Sequence, residues 1–505
     1  MKKVRFTTLI LLLACSLALT ACGSNNKGGT NDSQSSKAPE GKVEELTVAF
    51  PMVSSAQQDI QLVEDAVNKI TEQKIQARVK FLPISAGEWQ QQTNLLFTSN
   101  EKLDLMFVNG SLYSGMVAKG QLVPIDDLLS RYGGGITKAL GDYLQVARLK
   151  DGIYAVPTIR DLATSYGITF RKDLADKYSI DVSKLNTMED IEQAFKTIKD
   201  GEGGDFTPLI PSGVGATYLE NYLTYDRLGD GIGILPDYDN GLKIVNLYET
   251  DMYKEQLKRI RDWYLKGYIM KDSATNKLST FELLRSGKGF AYFAALKPGF
   301  EEQESQASGV QVVTKELLPA IATTSTVTGA MWGIPVNTKL EGKAMEFLNL
   351  MYEDKDIINL FDWGIEGKHY VKVPGEDNVI DYPEGVTAQT TGYNMPLGWL
   401  FGNQFLSYVM KGKDADIWNK MDAFNKNAAH SKALGFSFDA APVKTEYAAV
   451  MNVITQYKLA LETGSVDPDK VLPEFINKLK SAGVDKIIQE KQKQLDAWAQ
   501  AGGSK

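Results

Sequence analysis

Apolar residues recur along the chain with two periods, and the two periods alternate. Leu46, Val48 and Phe50 fall at every second position, the spacing of a half-buried strand. Pro51 is expected to end it. Ser54-Ser55-Ala56-Gln57 has the form of a capping box, and Ile60, Val63, Val67 and Ile70 follow at helical spacing. Ile75, Ala77, Val79 and Phe81 alternate again. The pattern predicts a βαβ unit with parallel strands. Trp89 to Thr98 predicts another helix, and Leu103 to Val108 another buried strand.

The alternation continues. Tyr154–Thr158, Thr164–Phe170, Gly289–Ala294 and Met331–Val336 read as strands. Leu185–Lys199, capped by Asn186 or Thr187, Tyr253–Gly267, Phe281–Arg285 and Glu341–Tyr352 read as helices. From about Val443 to Trp498 the pattern is mostly helical, with breaks expected at Pro468, Pro473 and Gly483. Alternating strands and helices predict α/β layers built on parallel sheets. No internal repeat of 20 to 50 residues interrupts the pattern.

The chain's 505 residues suffice for at least two domains. With 55 Lys and Arg against 63 Asp and Glu the formal charge is −8, a poor match to nucleic acid. Two Cys and two His nearly remove Cys/His metal sites, Cys nucleophiles, disulfide scaffolds and His-based catalysis. Neither metal nor cofactor is expected.

The first residues form an export signal. Lys2, Lys3 and Arg5 precede an apolar stretch, Leu9–Leu19, too short to remain as a spanning helix. It ends in Leu19-Thr20-Ala21-Cys22-Gly23, which resembles the lipobox of bacterial lipoproteins. The resemblance implies cleavage before Cys22 and a diacylglyceryl group on its thiol. Loss of residues 1–21 removes three cations and takes the formal charge from −8 to −11. Residues 22–42, poor in apolar side chains, read as a flexible tether. The predicted location is the outer face of a cell membrane, lipid-anchored.

Most enzymatic motifs fail when tested. There is no G-x-x-x-x-G-K-[ST] loop, and Gly110-Ser111-Leu112-Tyr113-Ser114-Gly115 has the wrong spacing for a nucleophile elbow. Asp237-Tyr238-Asp239-Asn240-Gly241 breaks the calcium-loop pattern and reads as a surface turn. His369 and His430 have no partner motif and read as packed or surface residues. Aromatics beside amides and turn residues are more suggestive: Tyr113 beside Asn109-Gly110, Trp332, Trp363, and the run Tyr393 to Gln404 with Trp399 and Asn403. A sugar ring offers C–H faces to a flat π surface and hydroxyls to amides, carboxylates and Arg. A single Trp is more often a core residue with one edge exposed; the Gly- and amide-rich run favours a binding role.

Several stretches together resemble the extracellular solute-binding proteins of bacterial ABC importers (solute-binding protein family 1, the oligosaccharide class). They are Leu103–Val108 with Gly120–Ile125, Gly152–Pro157 with Thr169–Leu174, and Lys343–Leu350. Gly364–Tyr370, Gly398–Gln404, Glu462–Pro468 and Ala482–Lys486 are similar to a domain of uncharacterised function in Gram-positive members (DUF3502-like). The likeness implies a two-lobe periplasmic-binding-protein-like fold of type II, hinged between lobes. Residues 43–160 and about 330–385 would form the first lobe; about 161–329 and 386–500 the second, with the C-terminal helices. Carried onto this chain, the interlobe ligand site comprises Asn109, Tyr113, Arg160, Asp161, Tyr292, Trp332, Trp399 and Asn403, with Trp363 and Tyr393 beside them. Met52-Val53-Ser54-Ser55 departs from the charged residues of maltose-type members, so maltose is not supported.

The expected function is capture of an oligosaccharide by a monomeric, lipid-anchored, non-enzymatic protein and its delivery to ABC permease subunits. An exported glycoside hydrolase using paired carboxylates, or a protein presenting ligand to a membrane sensor, remain alternatives.

Overall fold

The computed structural model describes residues 42–52, 57–149, 152–395 and 397–503. Cys22, the export signal, the tether through residue 41, and residues 53–56 lie outside them. The main elements begin with β1 (Glu44–Met52), α1 (Ile60–Ile75), β2 (Ala77–Ser85), α2 (Trp89–Ser99), β3 (Leu105–Asn109) and α3 (Gly110–Ala118). Then come β4 (Ala155–Pro157), β5 (Thr164–Arg171), α4 (Met188–Glu202), β6 (Thr207–Leu209), α5 (Asp251–Leu265), β7 (Gly289–Leu296) and β8 (Val312–Ala322). β9 (Ala330–Gly333), α6 (Glu341–Glu353), α7 (Lys355–Trp363), α8 (Ile417–Asn427) and β10 (Ala429–His430) follow. The chain closes with α9 (Lys444–Glu462), α10 (Pro468–Ala482) and α11 (Val484–Gln500).

Two five-stranded sheets organise two lobes. The first has the order β2-β1-β3-β9-β4, the second β10-β8-β5-β7-β6. β1 pairs in parallel with β2 and β3, as the βαβ pattern predicts. β9 runs antiparallel to β3 and β4, because it enters from the other lobe. The second sheet is also mixed: β5 is antiparallel to both β7 and β8. The expectation of purely parallel sheets is therefore corrected.

Each sheet carries its own core. In β1, Leu46, Val48, Ala49 and Phe50 are all buried, so this strand is covered on both faces where it meets its neighbours. Pro51 does not end β1; it pairs with Ile84 and the strand runs to Met52. A proline withholds only its N–H, and the strand continues through the carbonyls. α1 starts at Ile60, and its N-cap residue Asp59 makes no side-chain capping bond. That carboxylate instead receives His369 Nε2 at 3.1 Å and Lys368 Nζ at 3.2 Å. α4 is capped by Thr187, whose hydroxyl accepts from Asp190 N at 3.1 Å. Pro468 begins α10 behind the Asp467 cap, the position where a missing N–H costs nothing. α10 also runs through Pro473, held by the buried stripe Leu472, Phe475 and Leu479.

Tyr393, Met395, Leu400 and Phe401 pack in the first core, with Phe361 and Phe347. The expected division at residue 386 put this segment in the second lobe. The stacked Phe361 and Phe401 rings, 4.5 Å apart, hold it to the first. The chain thus crosses between sheets three times among the described residues: from β4 to β5, from β8 to β9, and from the Phe401 segment through α8 to β10. Asn425 on α8 ties the last crossing to the first. Its Oδ1 accepts from Leu162 N at 2.9 Å and its Nδ2 donates to Arg160 O at 2.6 Å.

Candidate ligand cleft

The second crossing borders a cavity whose other lining residues come from the second lobe. Arg160 sits on the first crossing, partly buried. Its Nη1 donates to the Asp161 carbonyl and to Asp161 Oδ1, both at 2.9 Å, and its Nη2 to Thr326 O at 2.8 Å. One guanidinium therefore spans two crossings. Lys297, at the end of β7, reaches Asp161 Oδ2 at 3.1 Å. Burial alone would raise the Asp161 carboxyl, but the two cations outweigh it and hold it below the usual range.

Beside these residues lies the cavity, of about 480 Å³. Thr164 and Tyr166 of β5 line one wall, and Ser325 and Thr326 of the second crossing another. The loop after β6 supplies Glu220, Asn221 and Arg227. Burial pushes the Tyr166 hydroxyl up to about 12, with the Arg227 charge pulling against it and Asp226 adding to it. The phenol is a neutral donor at physiological pH. Asp226, nearly fully buried, accepts from Leu228 N at 2.8 Å, and burial lifts its carboxyl above the usual range. Ser212 Oγ, also in this cleft, is buried without a hydrogen-bond partner. An aromatic wall, hydroxyls, an amide, a carboxylate and a guanidinium converge here. That set suits a neutral polyhydroxylated ligand.

Trp399 is the open aromatic of the first lobe, with 36% of its surface exposed. Phe107 meets its ring edge to face at 6.3 Å, and its carbonyl accepts from Thr158 Oγ1 at 2.8 Å. Asn109 is exposed at the end of β3 and caps α3 by accepting from Ser111 N at 3.0 Å.

The other expected ligand residues are interior. Trp332 is fully buried, donates to Leu400 O at 2.6 Å and stacks on Phe401. Tyr113 donates to Ala147 O at 2.7 Å and accepts from Tyr154 N at 3.0 Å. Tyr292 donates to Glu304 Oε2 at 2.6 Å, and Tyr393 to Phe361 O at 2.7 Å. All four rings lie in cores and their hydroxyl or indole groups are spent on the protein, so the site expectation is corrected for them. Trp363 is half-buried, bonded to Ser407 Oγ at 3.1 Å. Asn403 accepts from Phe405 N and donates to Tyr352 O. The glycines of the Tyr393–Gln404 run also serve packing: at Gly402, φ is 42° and a Cβ would stand 2.0 Å from the Met351 carbonyl oxygen.

Tyr166, Glu220, Asn221 and Arg227 were missed in the sequence. Tyr218 to Arg227 interleaves tyrosines with an amide and charges, as the Tyr393 run does, but that composition alone does not separate a cleft from a core. Asp237–Gly241 forms the expected surface turn, with Asp239 accepting from Gly241 N. Among the described residues no group of three His, Cys, Asp or Glu could hold a metal ion, and no helix is long and apolar enough to cross a membrane.

Comparison with known proteins fits this architecture. Residues 57–357 match the model of the bacterial extracellular solute-binding protein family, and residues 432–500 match a domain of unknown function, DUF3502. A carbohydrate ABC transporter substrate-binding protein of Streptococcus pneumoniae serotype 4 is 30% identical over 435 residues, 85% of this chain and 86% of that protein. The crystal structure of the N-glycan transport solute-binding protein NgtS from Streptococcus pneumoniae is 27% identical. It superposes with a TM-score of 0.80 over 90% of this chain and 99% of that one. NgtS in complex with Man1GlcNAc, at 28% identity and the same coverage of both chains, gives 0.70. The two sheets, the three crossings and the matched length agree: this chain belongs to the bacterial extracellular solute-binding protein family.

Proposed function

We propose that this protein captures a glycan between its lobes and hands it, unaltered, to the permease of an ABC importer, acting as a monomer tethered through a lipidated Cys22. The observation that carries the reading is the cleft itself, where Tyr166, Glu220, Asn221 and Arg227 face the hinge residues Ser325 and Thr326. A π surface covers the C–H face of a sugar, and the surrounding donors and acceptors take its hydroxyls. Trp399 offers a second aromatic face from the first lobe.

The relatives support the ligand class. One is named a carbohydrate ABC transporter substrate-binding protein, and NgtS is described in complex with Man1GlcNAc. The lower TM-score against the glycan complex of NgtS than against its other structure fits lobes that change their mutual arrangement. Closure requires that ligand bind the closed arrangement more tightly than the open one. Asn109, Arg160, Asp161 and Trp399 remain on the proposed site, joined by the four cleft residues above. The lipobox-like Leu19–Gly23 supports export, acylation and retention on the extracellular face.

Calorimetric titration of the full chain with Man1GlcNAc and longer glycans tests the ligand class. Saturable glycan binding is expected, with the glycan recovered uncut. Binding of peptides alone, or release of reducing ends, overturns the reading. Cys22→Ser should move the protein from the detergent phase to the aqueous phase on Triton X-114 partition; unchanged partition removes the anchor.

A further inference from the structure

The cleft loop from Ser212 to Val245 has little regular structure to hold it. It contains the two-residue strands Tyr225–Asp226 and Leu235–Pro236, a single antiparallel bridge between Ile234 and Val245, and a short 3-10 turn at Asn240–Leu242. Leu228, at φ 49°, and Leu242, at φ 58°, sit in the left-handed region that bulky residues avoid. Such backbone persists only where its surroundings over-determine it.

Those surroundings come from the C-terminal helices. Glu462 of α9 is buried; its Oε2 accepts from Thr217 Oγ1 at 2.5 Å and its Oε1 from Tyr253 OH at 3.0 Å. Lys491 of α11 is fully buried. Its Nζ reaches Asp230 Oδ1 and Ile232 O, both at 2.6 Å, and stands 4.8 Å from the Phe438 ring. Its neighbour Gln492 accepts from Ile244 N at 2.8 Å and donates to Leu242 O at 3.0 Å. Thr217 and Asp230 bracket Glu220, Asn221 and Arg227 in the chain. A buried polar or charged group is costly to leave without a partner, so each contact holds its loop partner in one place.

We propose that residues 432–500, matched only as a domain of unknown function, position the ligand cleft: Glu462, Lys491 and Gln492 latch the 212–245 loop so that Glu220, Asn221 and Arg227 are set before ligand arrives. The inference rests on the reading of this cleft as the ligand site. Preorganisation of this kind raises affinity by removing the ordering cost of binding. Lys491, Glu462 and Gln492 are positioning residues and touch no ligand themselves.

Hydrogen exchange on the full chain tests the latch without ligand. Lys491→Met should speed exchange of amides between Ser212 and Val245 by at least about tenfold and leave β1 to β3 unchanged. Titration with Man1GlcNAc supplies the second measure. The Kd should rise about tenfold in Lys491→Met, and by clearly less when the same change is made in Arg227→Ala, because one of the three positioned groups is gone. Should Lys491→Met fail to fold, Gln492→Ala carries both measurements with smaller shifts in the same direction. Unchanged loop exchange, faster exchange across the whole protein, or full additivity with Arg227→Ala overturns the proposal. If the wild-type chain binds no Man1GlcNAc, the exchange measurement alone decides the latch.

Discussion

Two tryptophans separate binding from folding. Trp332 is enclosed by Phe107 and Phe401, and Trp332→Ala should cost about 3 to 5 kcal/mol in urea unfolding. Trp399 keeps a third of its surface open, so Trp399→Ala should weaken glycan binding in calorimetry while the melting temperature stays close to wild type. Asp362 makes a third case. It is fully buried, and burial lifts its carboxyl from 3.8 to about 7, with the Ser407 hydroxyl pulling it back. The folded state then holds its proton more tightly than the unfolded chain. Its contribution is complete below the unfolded value and is lost as pH rises through about 7. The loss is about 4 kcal/mol at most. Asp362→Asn should flatten the fall in urea midpoint between about pH 4 and about pH 7; an equally steep fall in the variant would assign it to other groups. Residue identity alone did not separate these cases. Trp332, Tyr393 and Trp399 all stand beside glycines, and a glycine needed for close packing against Met351 looks in sequence like a glycine beside a ligand.

Elements with a strong period were legible. The apolar runs of β1, β3 and β7 are parallel or central strands buried on both faces, and the capping signal before α4 is realised by Thr187 and Asp190. Thr187→Ala should lower stability by about 1 kcal/mol, read from the denaturant midpoint. Prolines were read less well, since Pro51 and Pro473 both lie within their elements. The Ser212–Val245 loop was illegible as a site because its conformation is imposed from outside. No local period or turn signal in it encodes contacts to Glu462 and Lys491, which lie far along the chain. The cleft residues it carries were missed for the same reason.

At the scale of the whole molecule the lobes are joined by crossings that bond to each other. Arg160 links the first to the second through Thr326 O, and Asn425 links the third to the first. Arg160→Ala should loosen this joint and broaden the distribution of interlobe distances measured by double electron–electron resonance between labels on α2 and α4. An unchanged distribution would show that the crossings hold their arrangement without it. The two-lobe architecture was legible from the order of loosely similar stretches. The mixed direction of both sheets was not, because strand direction depends on where the chain re-enters a sheet and that is set by the crossings.

The insertion of β9 between β3 and β4 has a consequence for biogenesis. Met331 pairs with both Val108 and Pro157, so the first sheet stays split until more than three hundred residues have been made. Contacts of such long range close slowly. The leading half of the chain therefore carries an open seam, available for pairing with other chains, until its own middle third is present to seal it.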